Sequence, residues 1–226
     1  MRELQLAVSA FGAYLIGSIP MGYVWVKILT GRDVRRVGSG RTGGTNAARA
    51  GGRIAGILTG VGDFLKGLLA VLLAQWLLPV EHYGALSYWA QVVAGSAAVI
   101  GHNWSIYLGF RGGAGTGPNL GVAAAFAPAV GLALVPLVPL LLVTTGYASV
   151  ASLTVAVAIP LVFAVLALAA GWPWAYAVYG LITLVLIAVA LRPNIQRLIK
   201  GTERRVGPRA KDQATGNGHQ AAGDKE

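Results

Sequence analysis

The sequence predicts an all-α integral membrane protein of about seven transmembrane helices, the fourth and fifth forming a short proline-broken hairpin. Composition points there first: of 226 residues, 55% are hydrophobic and 12% charged, too little polar surface to cover a water-soluble globule of this size. Run length agrees, because several apolar stretches reach the roughly 18 to 20 residues that a helix needs to cross about 30 Å of hydrocarbon. The placement of Lys and Arg then raises the helix count from six to seven.

The apolar stretches cover residues 4–29, 54–78, 84–108, 119–145, 148–170 and 174–191. The first is longer than a signal-peptide core and has no small-residue cleavage site after a basic start, so it is expected to stay as a transmembrane helix. Between the first two lie Arg32, Arg35, Arg36, Arg41, Arg49 and Arg53 against one acid, Asp33. The positive-inside rule puts that loop in the cytoplasm and the N-terminus outside. The next connection carries Glu81 and His82 without Lys or Arg and is expected outside; the one after it, with Arg111, is expected inside. After Leu191 come Arg192, Arg197, Lys200, Arg204, Arg205, Arg209 and Lys211, a cytoplasmic signature that three crossings from Arg111 would leave outside. Parity returns if 119–145 is a helical hairpin or re-entrant pair, broken at Pro128, Pro136 and Pro139. Residues 1–205 then form one membrane-embedded domain, and the polar stretch 206–226 reads as a disordered cytoplasmic tail.

Several function classes fall away. Cysteine is absent, which removes disulfides and thiolate metal sites. His82, His102 and His219 are scattered and form no metal-ligand cluster. The net charge of +10 sits beside apolar segments and is not interleaved with stacking aromatics, so no nucleic-acid partner is expected.

Two glycine-rich loops carry the candidate chemistry. In the first, Gly38, Gly40, Gly43 and Gly44 stand among Arg36, Arg41 and Arg49, with Ser39, Thr45 and Asn46 between them. Glycines let the backbone close on an anion, successive N–H groups form a concave nest, and guanidinium groups add charge-assisted hydrogen bonds. A nucleotide P-loop is excluded, since Gly44 stands where its lysine belongs and the flanks are membrane helices. The second loop, Gly109 to Asn119 with Arg111, Gly112 and Gly113, is expected on the same face, where the two would clamp a phosphate-bearing substrate. Plainer readings stand beside these: glycines that turn the chain while arginines fix topology, and a flexible connection leading into a proline-started helix. Asp63 and Lys66, three residues apart in the second helix, either satisfy one another in an expensive medium or organise the loop above them. His102, about two turns before Arg111, is either a packing residue or points toward the site.

In order and spacing, Gly17-Ser18-Ile19-Pro20, Val37-Gly38-Ser39-Gly40, Thr45-Asn46 with Arg49, Asp63-Phe64-Leu65-Lys66-Gly67, Gly101-His102 and Gly109-Phe110-Arg111-Gly112-Gly113 resemble the PlsY family. Ser149 and Ser152 after Tyr147, Asn194-Ile195, Arg197-Leu198 and Gly201-Thr202-Glu203 extend the match over about residues 10 to 205. The resemblance implies a multi-pass enzyme of the bacterial inner membrane, surrounded by membrane lipids. It would transfer a fatty acyl group from acyl phosphate to the 1-hydroxyl of glycerol 3-phosphate, giving lysophosphatidic acid and phosphate, with no metal or organic cofactor. It casts Ser39, Arg49, Ser149 and Asn194 as catalytic. Gly38, Gly40, Arg41, Thr45, Asn46, Arg111, Gly112 and Gly113 would bind substrate phosphate, supported by Asp63, Lys66 and His102. The chain departs from the family pattern where Ala114 replaces a lysine, Leu191 a histidine, Pro193 an acid and Arg41 an asparagine. One expectation is that Arg41 partly replaces the missing lysine charge. The alternatives are a paralogue that binds a lipid phosphate without acyl transfer, favoured by Ala114 and Leu191, and a small-solute transporter, which lacks a visible inverted repeat.

Overall fold

A computed structural model describes residues 1–206. Of the expected polar tail, only Val206 falls within the described residues, and it is buried. Every regular element among them is helical. The first pass is α1 (Arg2–Ser18) followed by α2 (Met21–Thr30), separated at Ile19-Pro20, where the residue before proline is pushed to an extended conformation. Next comes α3 (Gly44–Leu77), in which Gly52, at φ 83° and ψ 177°, parts a short first helix from the long one. A single turn, α4 (Val80–Tyr83), leads into α5 (Ala85–Asn103). There follow α6 (Thr116–Phe126), α7 (Pro128–Leu134), α8 (Leu137–Thr145), α9 (Ala148–Ala170), α10 (Trp174–Ala190) and α11 (Arg192–Ile199).

The stretch expected as a broken hairpin is interrupted twice, at Ala127 just before Pro128 and again at Val135-Pro136. Pro139 breaks nothing, contrary to expectation. It lies in the first turn of α8, where the missing N–H would have had no helical partner anyway. A Cβ on Gly131 would lie 2.3 Å from the Ala124 Cα, so α7 folds back tightly on α6. The chain leaves the second glycine loop along α6 and returns along α7 and α8 to Gly146, whose carbonyl accepts the Val206 N–H at 2.7 Å.

Arg2–Thr30, Gly44–Leu77, Pro128–Thr145 and Ala148–Ala170 are each long and apolar enough to cross a membrane, and α10 with α11, bent by 68°, makes up to five. The polarity of the molecule runs outward to apolar. Phe11, Leu69, Trp76, Leu140, Leu161 and Leu168 are exposed, whereas Asp63, Lys66, Gln91, His102, Asn119 and Thr183 are buried. That arrangement suits a hydrocarbon solvent, which leaves polar side chains only the interior. Small residues let the backbones close up: a Cβ on Gly17 would lie 2.2 Å from the Ala98 carbonyl oxygen, and one on Gly101 2.3 Å from that of Tyr14. This seats the end of α5 against α1. Away from the glycine loops, Phe126 stacks on Tyr176 at 4.1 Å, and the Tyr179 hydroxyl donates to Asn119 Oδ1 at 2.7 Å.

Candidate active site

The first loop is built around one side chain. Asn46, buried in the first turn of α3, donates through Nδ2 to the carbonyls of Val34, Val37 and Arg41 at 3.0, 2.9 and 2.9 Å. Its Oδ1 accepts the Ser39 N–H at 3.0 Å. The loop can wrap so tightly because Gly38 and Gly40 take φ 56° and 71°, a region open to glycine without steric cost. Ahead of it, the Asp33 carboxylate accepts from the Arg35 side chain and backbone. The side-chain bond chiefly holds its pKa down at about 2, against a smaller opposing effect of burial.

The second loop is held from beneath. The Gly113 N–H donates to the His102 carbonyl at 2.9 Å. A Cβ on Gly112 would stand 1.9 Å from that same oxygen, and one on Gly113 2.0 Å from His102 Nε2. Under it, Asp63 Oδ1 lies 2.8 Å from Lys66 Nζ and 3.4 Å from His102 Nδ1. Lys66 also donates to the Ile19 carbonyl at 2.9 Å. The three residues expected to support the site are thus one buried cluster, tied both to the hinge of the first pass and to the second loop.

The loops meet where the Thr42 N–H donates to the Gly112 carbonyl at 3.4 Å. Arg41 joins them to the far end of the chain: Nη1 donates to the Gly113 carbonyl at 3.1 Å, and Nη2 to the Ala190 carbonyl and, at 3.1 Å, to Asn194 Oδ1. Burial, then the charge of Arg197, lowers the Arg41 pKa, while Glu203 opposes the shift. Asn194 passes the chain of contacts on through Nδ2 to Glu203 Oε1 at 2.7 Å, and Glu203 Oε2 accepts from Arg197 at 2.8 Å. Residues 200–206 then run back across the first loop: Arg204 donates to the Gly38 carbonyl, and the Arg205 carbonyl accepts from Arg49 at 3.4 Å.

Ser39, Arg49, Arg41, Gly112, Gly113 and Asn194 therefore share one end of the bundle, though they are spread over most of the chain. Arg49 and Arg111 are both exposed there. Ser149, in the first turn of α9, is buried with its Oγ unpartnered. Its neighbour Ser152 accepts from Thr116 at 2.7 Å, which joins α9 to the start of α6. Sequence reasoning did not single out Glu203 or Asn103 for the site. Glu203 is the one acid in the basic run 192–211, a signal that was legible. Asn103 carries no such mark; its buried amide, unpartnered at both atoms, lies beside Gly115. Ala114 and Leu191, two departures from the family pattern, fall in one apolar cluster with Ala156, Ile187 and Ile195.

A family model described as glycerol-3-phosphate acyltransferase matches residues 7–201. The glycerol-3-phosphate acyltransferase of Syntrophomonas wolfei is 37% identical over 210 residues, spanning 93% of this chain and 100% of its own. That of Rubrobacter xylanophilus is 39% identical over 201 residues, with 87% and 93% covered. Among solved structures, PlsY (YgiH), an integral membrane glycerol 3-phosphate acyltransferase, is similar in its glycerol 3-phosphate form. The TM-score is 0.77 at 36% identity, over 89% of this chain and 96% of that one. Its lysophosphatidic acid form gives 0.73 at 34% identity, over 89% and 95%. This chain belongs to the glycerol-3-phosphate acyltransferase family.

Proposed function

We propose that this chain transfers a fatty acyl group from acyl phosphate to glycerol 3-phosphate at the cytoplasmic face of a bacterial inner membrane. The observation that carries this reading is the meeting of two glycine loops and Arg49 at one end of a bundle whose outer surface is apolar. One substrate is small and anionic and the other has a hydrocarbon tail, and such a site serves both. The 1-hydroxyl oxygen of glycerol 3-phosphate attacks the acyl carbonyl carbon, the bond from that carbon to the phosphate oxygen breaks, and the hydroxyl proton leaves with phosphate or to water. Phosphate is already a good leaving group, so positioning and charge stabilisation suffice without a protein nucleophile.

In this reading Arg49 and Arg111 meet phosphate, with Thr45 and the backbone of Gly38, Gly40, Gly112 and Gly113 lining the clamp. Ser39 and Ser149 offer hydroxyl groups to the reacting atoms, and Asn46 shapes the first loop. Asn194 has both amide ends engaged by Arg41 and Glu203 and acts by holding them. We read α1 with α2, α3, α5, α6, α7 with α8, α9 and α10 as seven membrane elements of a single domain, N-terminus outside. Support comes from the return of Gly146 to the end where the basic loops lie, which restores the charge parity.

The test is purified protein with acyl phosphate and glycerol 3-phosphate, following lysophosphatidic acid. Arg49→Ala is expected to lower its formation at least about 100-fold, the scale of a lost charge-stabilising contact. One observation favours a second reading: Ala114 and Leu191 sit in an apolar cluster, with neither cation nor imidazole at those positions. Saturable glycerol 3-phosphate binding without turnover would establish that non-catalytic alternative.

A further inference from the structure

We infer that Arg41 is a positioning residue for acyl transfer, whose guanidinium locks the second glycine loop to the α10–α11 corner and stands against a second cation at position 114. The inference rests on the acyltransferase reading above. Arginine carries five N–H donors in a planar fork, and here the fork engages the Gly113 carbonyl, the Ala190 carbonyl and Asn194 Oδ1 together. Ala190 is the last residue of α10. Its carbonyl is one of those that a helix end leaves without a partner, and a cation there also meets the negative end of the helix dipole.

The Gly113 carbonyl belongs to the peptide that leads into Ala114, so Arg41 holds the loop at the peptide next to its clamp residues. The Ala114 side chain packs into the cluster of Ile187 and Leu191. A lysine at 114, a half-buried position, would share a peptide with the bound guanidinium and lie along an apolar wall, repelled on one side and poorly hydrated on the other. A small residue at 114 and a long cation at 41 are therefore two halves of one arrangement. Arg41 does not need to touch phosphate to matter: with its fork turned to these three acceptors, it acts on the reaction through the placement of Gly112 and Gly113.

The experiment is a mutant cycle on the purified full chain. Arg41→Ala is expected to lower kcat/KM for glycerol 3-phosphate about 10- to 100-fold, as a misplacement of about 1 Å does. Added methylguanidinium should restore part of that loss, and Arg41→Lys, a point charge with a shorter reach, should fall between. Ala114→Lys alone should reduce turnover, whereas Arg41→Asn/Ala114→Lys should exceed Arg41→Asn alone, a sign reversal that independent sites do not show. Wild-type kcat/KM in Arg41→Ala would overturn the inference. So would a loss that follows thermal stability and ignores methylguanidinium, or additive effects in the cycle. Absence of turnover in the wild type would defeat the acyltransferase reading instead. Glycerol 3-phosphate affinity measured by calorimetry then tests Arg41 by the same cycle.

Discussion

The first glycine loop is gathered by a side chain from the helix that follows it, whereas the second, pinned from outside by Arg41, is seated by what its own side chains leave out. Asn46 reaches into the first loop and gathers three carbonyls and one N–H; without it the loop has no centre. The second loop lies flat on the end of α5, and the backbone and ring of His102 fill the space where Cβ atoms of Gly112 and Gly113 would stand. Glycine also differs in purpose between them. Gly38 and Gly40 supply positive φ, whereas Gly112 and Gly113 supply room. Two loops of similar composition thus fail in different ways.

The largest effect is expected at Gly112. In Gly112→Ala the new methyl meets a carbonyl oxygen at 1.9 Å, and backbone cannot swing aside as a side-chain tip can. Overpacking of this kind costs about 1–3 kcal/mol, measurable by thermal or denaturant unfolding. The loop shift should lower lysophosphatidic acid formation by about 100-fold. Asn46→Ala comes next: it strips partners from groups that water partly reaches, at roughly 1 kcal/mol for each bond lost. A rise of about tenfold in KM for a phosphate substrate should appear in steady-state assays with the fold intact. Asn46→Asp keeps the acceptor for Ser39 but loses the donors, so a KM equal to that of Asn46→Ala would show that the carbonyl bonds are what matters. Gly109→Ala should do least. Its φ is 62° and nothing lies within 4 Å of the added methyl, leaving only the left-handed strain of about 1–2 kcal/mol. If it lost activity as Gly112→Ala does, space would not be what sets the second loop apart.

Several features of the fold were legible from residues alone. Membrane class followed from run length, and the hairpin at 119–145 from charge parity, before any geometry. The break at Ile19-Pro20 was not foreseen, because the apolar run continues across it; the turn at Gly52 was not, because it falls in the basic stretch ahead of the run 54–78, where no helix was expected. Helix α11 was hidden as well. Its eight residues make only two turns of mixed polarity; Asn194 and Arg197 are tied to Arg41 and Glu203, while Ile195 packs against Ile187 and Leu191. At the site, Asn46 entered by resemblance as a phosphate-binding residue, whereas its amide is turned to the backbone of its own loop. The burden on Arg41 was not legible: its acceptors lie 72, 149 and 153 residues away along the chain, and no local pattern encodes them.

What the sequence determined by itself is local: apolar length, backbone groups satisfied within each helix, and cations clustered in a few connecting segments. Tertiary structure alone decided what those cations do. Arg49 and Arg111 remain at the surface, Arg204 ties the last described segment to Gly38, and Arg41 turns inward to three acceptors. The physical reason is that a guanidinium takes its role from whichever unpaired carbonyls the packed helices bring within reach, and those belong to helix ends far apart in the chain.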